Sequence, residues 1–327
     1  MNWRCIWVFA AVLFLAMVYQ APAPLVYTPG EGWTYEPPGK QVKWRRETAL
    51  AQLQVAEQAF QKGDYGTALK AAKRILRVWP LSDYAPNAQF IIAQCYEAKR
   101  HDERAFKEYQ KLIERYPRCP LRETALQRQM QIATRFLAGQ RFKLFGLIPT
   151  FPSMSRTADL FQTIVTNAIF SDIGIQAQLK AAEAYEKRKD YEMAAHLYER
   201  AADRYNTRGE TAADAMYKAG ICHTKLARKS EYDQTAAYRA INLLSDFIAL
   251  YPNDPRVEQA QRLVDELRTE QARGSFQIAV YYQKHNRTNA ALIYYADAIK
   301  KAPNSDYAKE ALKRIAQLQE KRQKTTQ

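Results

Sequence analysis

The chain has few of the residues that usually carry out chemistry. It contains four cysteines and four histidines, and the histidines (His101, His196, His223 and His285) are not paired with Cys, Asp or Glu at metal-ligand spacing. Cys222 and His223 are adjacent, but neighbours on a helix point about 100° apart and do not form one metal-binding face. A G-x-S-x-G nucleophile motif is also missing. We therefore predict a protein that is not an enzyme and needs no cofactor or metal.

The low cysteine content excludes a disulfide framework. Cys95, Cys119 and Cys222 are widely separated, so at most one pair could form in an exported chain. Cys95 and Cys222 fall within helical patterns and are expected to be small buried side chains. Cys5 does not match a lipoprotein signal, because a lipid-modified cysteine directly follows the apolar core and Cys5 begins it.

Alternation of apolar and polar residues, which indicates β-strands, is also missing. From residue 44 onward Ala, Leu, Gln, Glu, Lys and Arg predominate, Gly and Pro are sparse, and the chain has 21 Tyr and 13 Phe. Small alanines packed against large rings suit closely stacked helices. The composition therefore predicts an all-α protein.

The N-terminal apolar run is shorter than a typical membrane-spanning helix. Residues 5–19 are 15 uninterrupted apolar residues behind Arg4, whereas a spanning helix needs about 20. A short apolar core after a positive charge is typical of a signal peptide. Because proline follows both Ala21 and Ala23, residues 1–23 are predicted to be either a signal peptide cleaved at Ala23 or an uncleaved membrane anchor. Either way, the rest of the chain is exported.

Pro- and Gly-rich sequence separates this segment from the helical region. Residues 24–43 have too many prolines for a helix and are predicted to be an extended linker. The folded region is predicted over residues 44–322. Residues 323–327 are predicted to be a disordered tail.

An internal repeat appears as a fixed interval between alanine and proline. Ala68 precedes Pro80, and Ala105 precedes Pro117, by twelve residues. A 34-residue tetratricopeptide repeat (TPR) has a small residue at position 20 and proline at position 32, which is the same interval. The same frame assigns to the core Ala93, Tyr96 and Tyr109, then Ala182, Tyr185, Tyr191, Ala194, Tyr198 and Ala201, and finally Ala279, Tyr282, Ala291, Tyr295, Ala298 and Pro303.

The repeats predict a superhelical TPR solenoid of about five to six helical hairpins with a C-terminal capping helix near residues 306–321. An apolar, proline-containing insertion at residues 139–156 interrupts the third repeat and is too long for a TPR turn. Two interpretations of it stay open. It contacts a partner or membrane through Phe142, Phe145 and Phe151, or it packs on a neighbouring repeat.

The first helices of stacked TPR hairpins line the concave face, and positions 5, 9 and 12 of each point into it. This predicts a groove formed by Leu53, Glu57, Phe60, Phe90, Gln94, Glu97, Gln127 and Gln131. Position 9 is polar in three successive repeats, as Glu57, Gln94 and Gln131. Amides beside aromatic rings are suited to the backbone of an extended polypeptide. The alternative is a hydrated groove that binds nothing.

The charge is strongly positive. The chain carries 49 basic and 34 acidic residues, a net charge of +15, and residues 99–143 hold twelve basic against five acidic residues. A distributed excess of this kind is commonly a solvated surface. The alternative is a basic solenoid that binds nucleic acid or an anionic surface.

The repeats resemble those of the BamD family, the periplasmic TPR component of the outer-membrane β-barrel assembly machine. Residues 63–117 are similar to the first two repeats of that family, and residues 238–312, including IAVYYQKHNRTNAALIYY, are similar to its last repeats. The export signal and the linker fit the same family. Two features depart from it, because the family is usually lipidated and this chain lacks the acylated cysteine, and because the insertion at 139–156 is additional.

The resemblance implies a scaffold in β-barrel outer-membrane protein assembly. Its C-terminal repeats are expected to bind the periplasmic domains of the barrel-forming subunit. Its N-terminal groove is expected to receive unfolded outer-membrane proteins. The positions that the resemblance assigns to substrate contact are Phe60, Phe90, Gln94 and Gln131. The expected location is the periplasm, attached to a membrane through the N-terminus, with nucleic acid not expected as a partner.

A different periplasmic TPR adaptor is the main alternative. Adaptors that link envelope constriction to cell-wall synthesis typically carry an N-terminal coiled coil. No sustained heptad pattern precedes residue 44 in this chain.

Overall fold

The fold is built from helices that pack one after another along the chain, as predicted. A computed structural model describes residues 25–28, 32–35, 44–144, 148–149, 151–169, 171–206, 209–229 and 234–326. The chain divides into two compact units. Unit 1 comprises residues 1–132 and 141–151, and unit 2 comprises residues 133–140 and 152–327.

A short hairpin lies within the region predicted as a linker. Strand β1 (Leu25–Thr28) pairs antiparallel with strand β2 (Gly32–Tyr35), so that Leu25 lies opposite Tyr35. Extended backbone agrees with the proline content, but the pairing itself was not predicted. Residues 1–24, with the predicted signal peptide or anchor, lie outside the described residues. Within the described ranges, no helix is both long and apolar enough to cross a membrane.

Unit 1 contains the first helices of the array. They are α1 (Ala49–Gln61), α2 (Tyr65–Val78), α3 (Ala85–Ala98), α4 (Asp102–Arg115) and α5 (Arg122–Leu137), whose residues from Ala133 onward belong to unit 2. The turn between α1 and α2 shows how the sequence ends one helix and starts the next. Gly63 adopts a φ of +76°, which glycine tolerates without strain, and Asp64 caps α2 by accepting a hydrogen bond from the Thr67 amide at 3.0 Å.

The core of unit 1 joins small and large side chains. Ala68 and Ala72 on α2 are fully buried beside Ile75 and Trp79, while Tyr109 on α4 is buried with 0% exposure. The alanines let the helices approach closely, and the larger side chains fill the remaining space. Ala105 is also fully buried, in agreement with its predicted place at position 20.

Unit 2 continues the same pattern. Its helices are α6 (Met154–Asn167), α7 (Asp172–Lys187), α8 (Tyr191–Arg204), α9 (Gly209–Lys229), α10 (Gln234–Leu250), α11 (Val257–Lys284), α12 (Thr288–Lys301) and α13 (Asp306–Thr326). Each packs on the next in the sequence. The alanines predicted for positions 8, 20 and 27 of the last repeat, Ala279, Ala291 and Ala298, are fully buried.

Two glycines of unit 2 allow close helix contact. A Cβ on Gly220 of α9 would lie 2.6 Å from Leu244 Cδ2 of α10, and a Cβ on Gly174 of α7 would lie 1.8 Å from the Ala168 carbonyl oxygen. Both distances are below van der Waals contact. The neighbour of Gly174 is backbone, which cannot move aside, so packing requires this glycine, whereas the neighbour of Gly220 is the side chain of Leu244.

The cysteines of the described region are unpaired. Cys95 and Cys222 are fully buried, as predicted. Burial raises the pKa of the Cys95 thiol to about 11 and that of Cys222 to about 12. Both thiols are therefore protonated at neutral pH and behave as small apolar side chains.

Candidate peptide-binding groove

A pocket of about 240 Å³ lies on the first helices of unit 1. It is lined by Glu57, Phe60 and Gln61 of α1, by Asn87, Phe90, Ile91 and Gln94 of α3, and by Leu121 just before α5. Four residues predicted for the groove therefore lie around one pocket: Glu57, Phe60, Phe90 and Gln94. Pockets for drug-sized ligands measure about 300–1,000 Å³. The smaller volume suits a side chain or a short stretch of polypeptide.

Packing within the helical hairpins fixes the positions of the two phenylalanines that line the pocket, Phe60 and Phe90. Phe60 contacts Tyr65, the first residue of α2, with ring centroids 5.6 Å apart. Phe90 meets the buried Tyr109 of α4 edge to face, with centroids 5.5 Å apart. Both phenylalanines stay half-buried, so one part of each ring is held by the fold and another part faces the pocket.

The polar lining residues have their hydrogen-bonding groups available. Glu57, Gln61, Asn87 and Gln94 make no side-chain hydrogen bond or ion pair to any other residue that the structure describes. Three of them are amides, which both donate and accept hydrogen bonds. This combination of free amides and partly exposed rings can hold the backbone and an apolar side chain of an extended chain.

Leu53 differs from the prediction. Its side chain is 4% exposed and belongs to the hydrophobic core of unit 1, so it is not available to a ligand. Position 5 of this helix points toward the partner helices because Ala49, Gln52, Leu53 and Ala56 form one buried face.

Glu97 makes contacts within the fold. Its Oε2 accepts a hydrogen bond from the hydroxyl of buried Tyr109 at 3.0 Å, and its Oε1 lies 3.8 Å from Arg128 Nη1. The same Arg128 atom donates to Gln131 Oε1 at 3.3 Å. Gln127 and Gln131 are exposed on α5 and are not among the residues that line the pocket.

The Tyr109–Glu97 hydrogen bond recurs in unit 2. Tyr198 donates to Glu186 at 3.4 Å, and Tyr295 donates to Gln283 at 2.5 Å. In each repeat, the acceptor at position 12 lies twelve residues before the tyrosine at position 24. The recurrence shows that position 12 satisfies a buried hydroxyl in each of these hairpins.

The insertion packs against unit 1 at its start. Phe142 is 2% exposed, the Lys143 amide donates to Glu103 Oε1 at 2.6 Å, and Lys143 Nζ donates to the Arg100 carbonyl at 2.8 Å. Strands β3 (Lys143–Leu144) and β4 (Ile148–Pro149) then form a short antiparallel pair. At Phe142 the structure favours packing on a neighbouring repeat over contact with a partner.

The three phenylalanines proposed as insertion contacts therefore differ. Phe142 is buried, Phe151 is 88% exposed, and Phe145 lies outside the described residues. Of the two that can be compared, Phe151 is the one available to a partner.

Four lining residues were not predicted. Gln61, Asn87 and Ile91 lie one helical turn from predicted positions on the same helices, so the spacing of the known positions could have identified them. Leu121 lies in the turn before α5, where no helical period exists to identify it.

Two family models match parts of the chain. A tetratricopeptide-repeat family model matches residues 87–118, which cover α4 and all of α3 except its first two residues. The protein is therefore a helical-repeat protein of the TPR class, as predicted. A second model, YfiO, described as outer membrane lipoprotein, matches residues 153–327. This is more than half of the chain, so the chain belongs to the YfiO family, and the predicted resemblance to BamD is confirmed.

Solved structures show more distant likenesses. The C-terminal part of a TPR protein from Cytophaga hutchinsonii is 12% identical, with a TM-score of 0.36 over 81% of this chain and 88% of that chain. A TPR protein from Parabacteroides merdae is 11% identical, with a TM-score of 0.32 over 81% of this chain and 97% of that one. No curated protein matches the chain.

Proposed function

We propose that the chain is a non-catalytic periplasmic scaffold in the assembly and insertion of β-barrel outer-membrane proteins. Membership of an outer membrane lipoprotein family supports the location. TPR arrays commonly bind other proteins through the face made by their first helices. The observation that carries the proposal is the pocket of unit 1, where unpaired amides stand beside half-buried rings.

In this proposal, unit 1 receives an unfolded outer-membrane protein as an extended segment. Gln94 and Asn87 bind its backbone, and Phe60 and Phe90 contact an apolar side chain. The C-terminal repeats of unit 2 bind the periplasmic domains of the barrel-forming subunit. The N-terminal segment, residues 1–23, directs export as a signal peptide or holds the chain at a membrane as an uncleaved anchor.

Site-specific photo-crosslinking in native membranes tests the proposal. A photoreactive residue at position 90 is expected to capture outer-membrane β-barrel proteins during their synthesis. A photoreactive residue at position 81, where Leu81 is 95% exposed between α2 and α3 of unit 1 and does not line the pocket, provides the matched control. Equal capture at both positions, or no β-barrel protein at position 90, would refute the substrate role.

The alternative adaptor function has a different expected result. If the chain instead coordinates the envelope during division, purification of the intact chain from membranes recovers cell-wall synthases and no β-barrel protein. The photo-crosslinking experiment above also distinguishes the two functions, because mass spectrometry identifies the proteins captured at position 90.

A further inference from the structure

A second site of unit 1 lies on α2 and on the segment that leads into α1. Helix α2 carries four basic residues and no acidic residue: Lys70, Lys73, Arg74 and Arg77. Their spacing of three and four residues places them on one side of the helix. Arg45 and Arg46 precede α1 and lie near this side, since Arg74 Nη2 reaches the Arg46 carbonyl at 3.5 Å.

Buried Gln52 holds the Arg45 segment in place. Its Nε2 donates to the Trp44 carbonyl at 3.0 Å, and its Oε1 accepts from the Arg46 amide at 2.9 Å. Gln52 itself is 0% exposed. The backbone on both sides of Arg45 is therefore fixed to α1, and the Arg45 guanidinium lies 5.4 Å from the centroid of the Trp44 ring.

Arg74 and Trp79 stand at the centre of this basic cluster. The Arg74 guanidinium lies over the Trp79 ring, 5.3 Å from its centroid. Arg74 Nε and Trp79 Nε1 are both buried N–H donors, and neither has an acceptor among the described residues. Trp79 as a whole is 3% exposed. Buried donors without acceptors are costly, so an acceptor that reaches either N–H would stabilise the site.

The surrounding charge has the same sign. Burial lowers the pKa of Arg74, and the positive charges of Arg45 and Arg77 lower it further. Arg45 and Arg77 are both exposed. Cations that repel each other across a short distance are stabilised when an anion binds between them.

We propose that Arg45, Arg74, Arg77 and the Trp79 N–H form an oxyanion site that binds the phosphate groups of anionic membrane lipids. Arginine suits phosphate, because the guanidinium fork bonds two phosphate oxygens at once. The indole N–H supplies a further donor. The site lies outside the pocket of unit 1, since none of these residues lines it.

The position of the site in the sequence favours lipid as the source of the phosphate. Residues 20–43 alone separate the apolar segment at 5–19 from Arg45. A segment held at a membrane keeps nearby basic residues at high effective concentration there. A basic cluster also adds to the weak binding of a single anchor. The assignment of the phosphate to lipid rests on the proposed membrane attachment. The oxyanion site itself does not rest on it.

Co-flotation of the full chain with lipid vesicles tests the proposal. The measured quantity is the ratio of binding to vesicles with 30% phosphatidylglycerol over binding to pure phosphatidylcholine vesicles. The ratio removes the contribution of the apolar segment, which both vesicles bind. Each basic residue near an anionic surface contributes about fivefold to binding. Arg45→Gln/Arg77→Gln is therefore expected to lower the ratio at least fivefold, and Arg74 stays in place to support the fold.

A matched control removes two charges elsewhere. Lys309→Gln/Lys313→Gln on α13 makes the same charge change at cations that already have acidic partners, Asp306 and Glu310. This variant is expected to keep the wild-type ratio. An equal loss in both double variants would overturn the proposal, because net charge alone would then explain binding.

Trp79→Phe provides a second variant that keeps the ring and removes the N–H. The indole N–H signal of Trp79, assigned by its loss in this variant, is expected to shift when phosphatidylglycerol is added to neutral micelles of the full chain. A shift with inorganic phosphate but not with lipid would assign the site to free phosphate and overturn the lipid source. Binding of duplex DNA with the same Arg45 and Arg77 dependence, without a vesicle preference, would overturn it as well.

Discussion

At the scale of single residues, the recurring tyrosine hydroxyl is the feature with the clearest energetic consequence. Tyr109, Tyr198 and Tyr295 are each 0–1% exposed, and each reaches an acceptor twelve residues earlier. Without that acceptor, a buried hydroxyl would lose its hydrogen bonds to water without replacement. The side chain at position 12 therefore stabilises the fold, and the atom that accepts this hydrogen bond is not available to a ligand.

Tyr109→Phe tests this role. The variant keeps the ring that supports Phe90 and removes the hydrogen bond to Glu97, so we expect the free energy of unfolding to fall by about 1–2 kcal/mol. Urea unfolding followed by circular dichroism measures the change. Tyr238→Phe, at a tyrosine that is 63% exposed, is expected to change it by less than about 0.5 kcal/mol. Equal effects of the two variants would contradict the structural role.

Gly174→Ala tests a close backbone contact. The added methyl group would lie 1.8 Å from the Ala168 carbonyl oxygen, and backbone atoms cannot move aside as a flexible side chain can. We expect destabilisation of about 2 kcal/mol or more in thermal unfolding, although alanine normally favours helices. Gly66→Ala is the control, because the nearest atom there is Asp64 Oδ1 at 3.4 Å. A neutral Gly174→Ala would show that α7 can shift at its start.

At the scale of elements, the helices were predictable because each has its own local signals. Periodic alanines and tyrosines and closing prolines predicted stacked helical hairpins with a capping helix near residues 306–321, and the structure has that helix as Asp306–Thr326. The hairpin of β1 and β2 was missed because four-residue strands are too short to show a period.

The candidate site was predictable only where helical spacing sufficed. Phe90 and Gln94 follow from a single helical face, and they do lie around one pocket. Leu53 was misplaced, because the same spacing does not tell how far around the helix the partner helices reach. The role of Glu97 depends on a hydroxyl from another helix, and a contact between elements has no signal on either element alone.

The turn between α10 and α11 in unit 2 is stabilised by a network of charged side chains. Asp254 accepts from the Arg256 amide at 2.9 Å, from its Nε at 2.9 Å and from its Nη2 at 2.8 Å. Arg256 Nη1 donates to Asp214 of α9 at 2.8 Å, and the guanidinium lies 5.0 Å from the Tyr217 ring centroid. The network therefore joins the start of α11 to α9.

Asp254→Asn is expected to show a pH-dependent effect. The hydrogen bonds from Arg256 lower the pKa of Asp254 below its ordinary value of 3.8. A carboxylate with a lowered folded-state pKa stabilises the fold above its unfolded pKa and loses this contribution as pH falls through the folded value. We therefore expect the variant to be less stable by about 1–2 kcal/mol at pH 7, with a difference that shrinks below about pH 4.

Urea unfolding of wild type and variant at pH 7 and pH 3 measures the difference. Asp306→Asn is the matched control, because the Asp306 side chain is 96% exposed and its pairing with Lys309 is open to solvent. It is expected to have no measurable effect at either pH. A difference for Asp254→Asn that stays constant across this range would exclude the proposed ionic contribution.

At the scale of the whole molecule, the region that the family model matches and the candidate groove lie in different units. The YfiO model matches residues 153–327, which coincide with unit 2 except for its first residues. The pocket is built entirely from unit 1. Family membership therefore supports the part proposed to bind the assembly machinery, and the pocket geometry supports the part proposed to bind substrate.

The net charge of +15 contributes to binding only where a ligand contacts basic residues. Of the pocket lining residues only Glu57 is charged, and the others are amides, rings and aliphatic side chains. Binding of an extended chain there depends on hydrogen bonds and apolar contact. Nucleic acid or an anionic surface would instead bind through basic residues, and counterion release makes such binding fall steeply with salt.

We therefore expect the full chain to bind a fluorescent unfolded β-barrel segment with an affinity that changes less than threefold between 50 and 200 mM NaCl. Fluorescence anisotropy measures this affinity, and Phe90→Ala/Gln94→Ala is expected to weaken it at least tenfold because it removes a ring wall and an amide of the pocket. Gln127→Ala/Gln131→Ala, at exposed positions outside the pocket, is the control and is expected to bind as wild type. A loss of a hundredfold or more across this salt range, with equal effects of both variants, would mean that the basic surface and not the groove holds the chain.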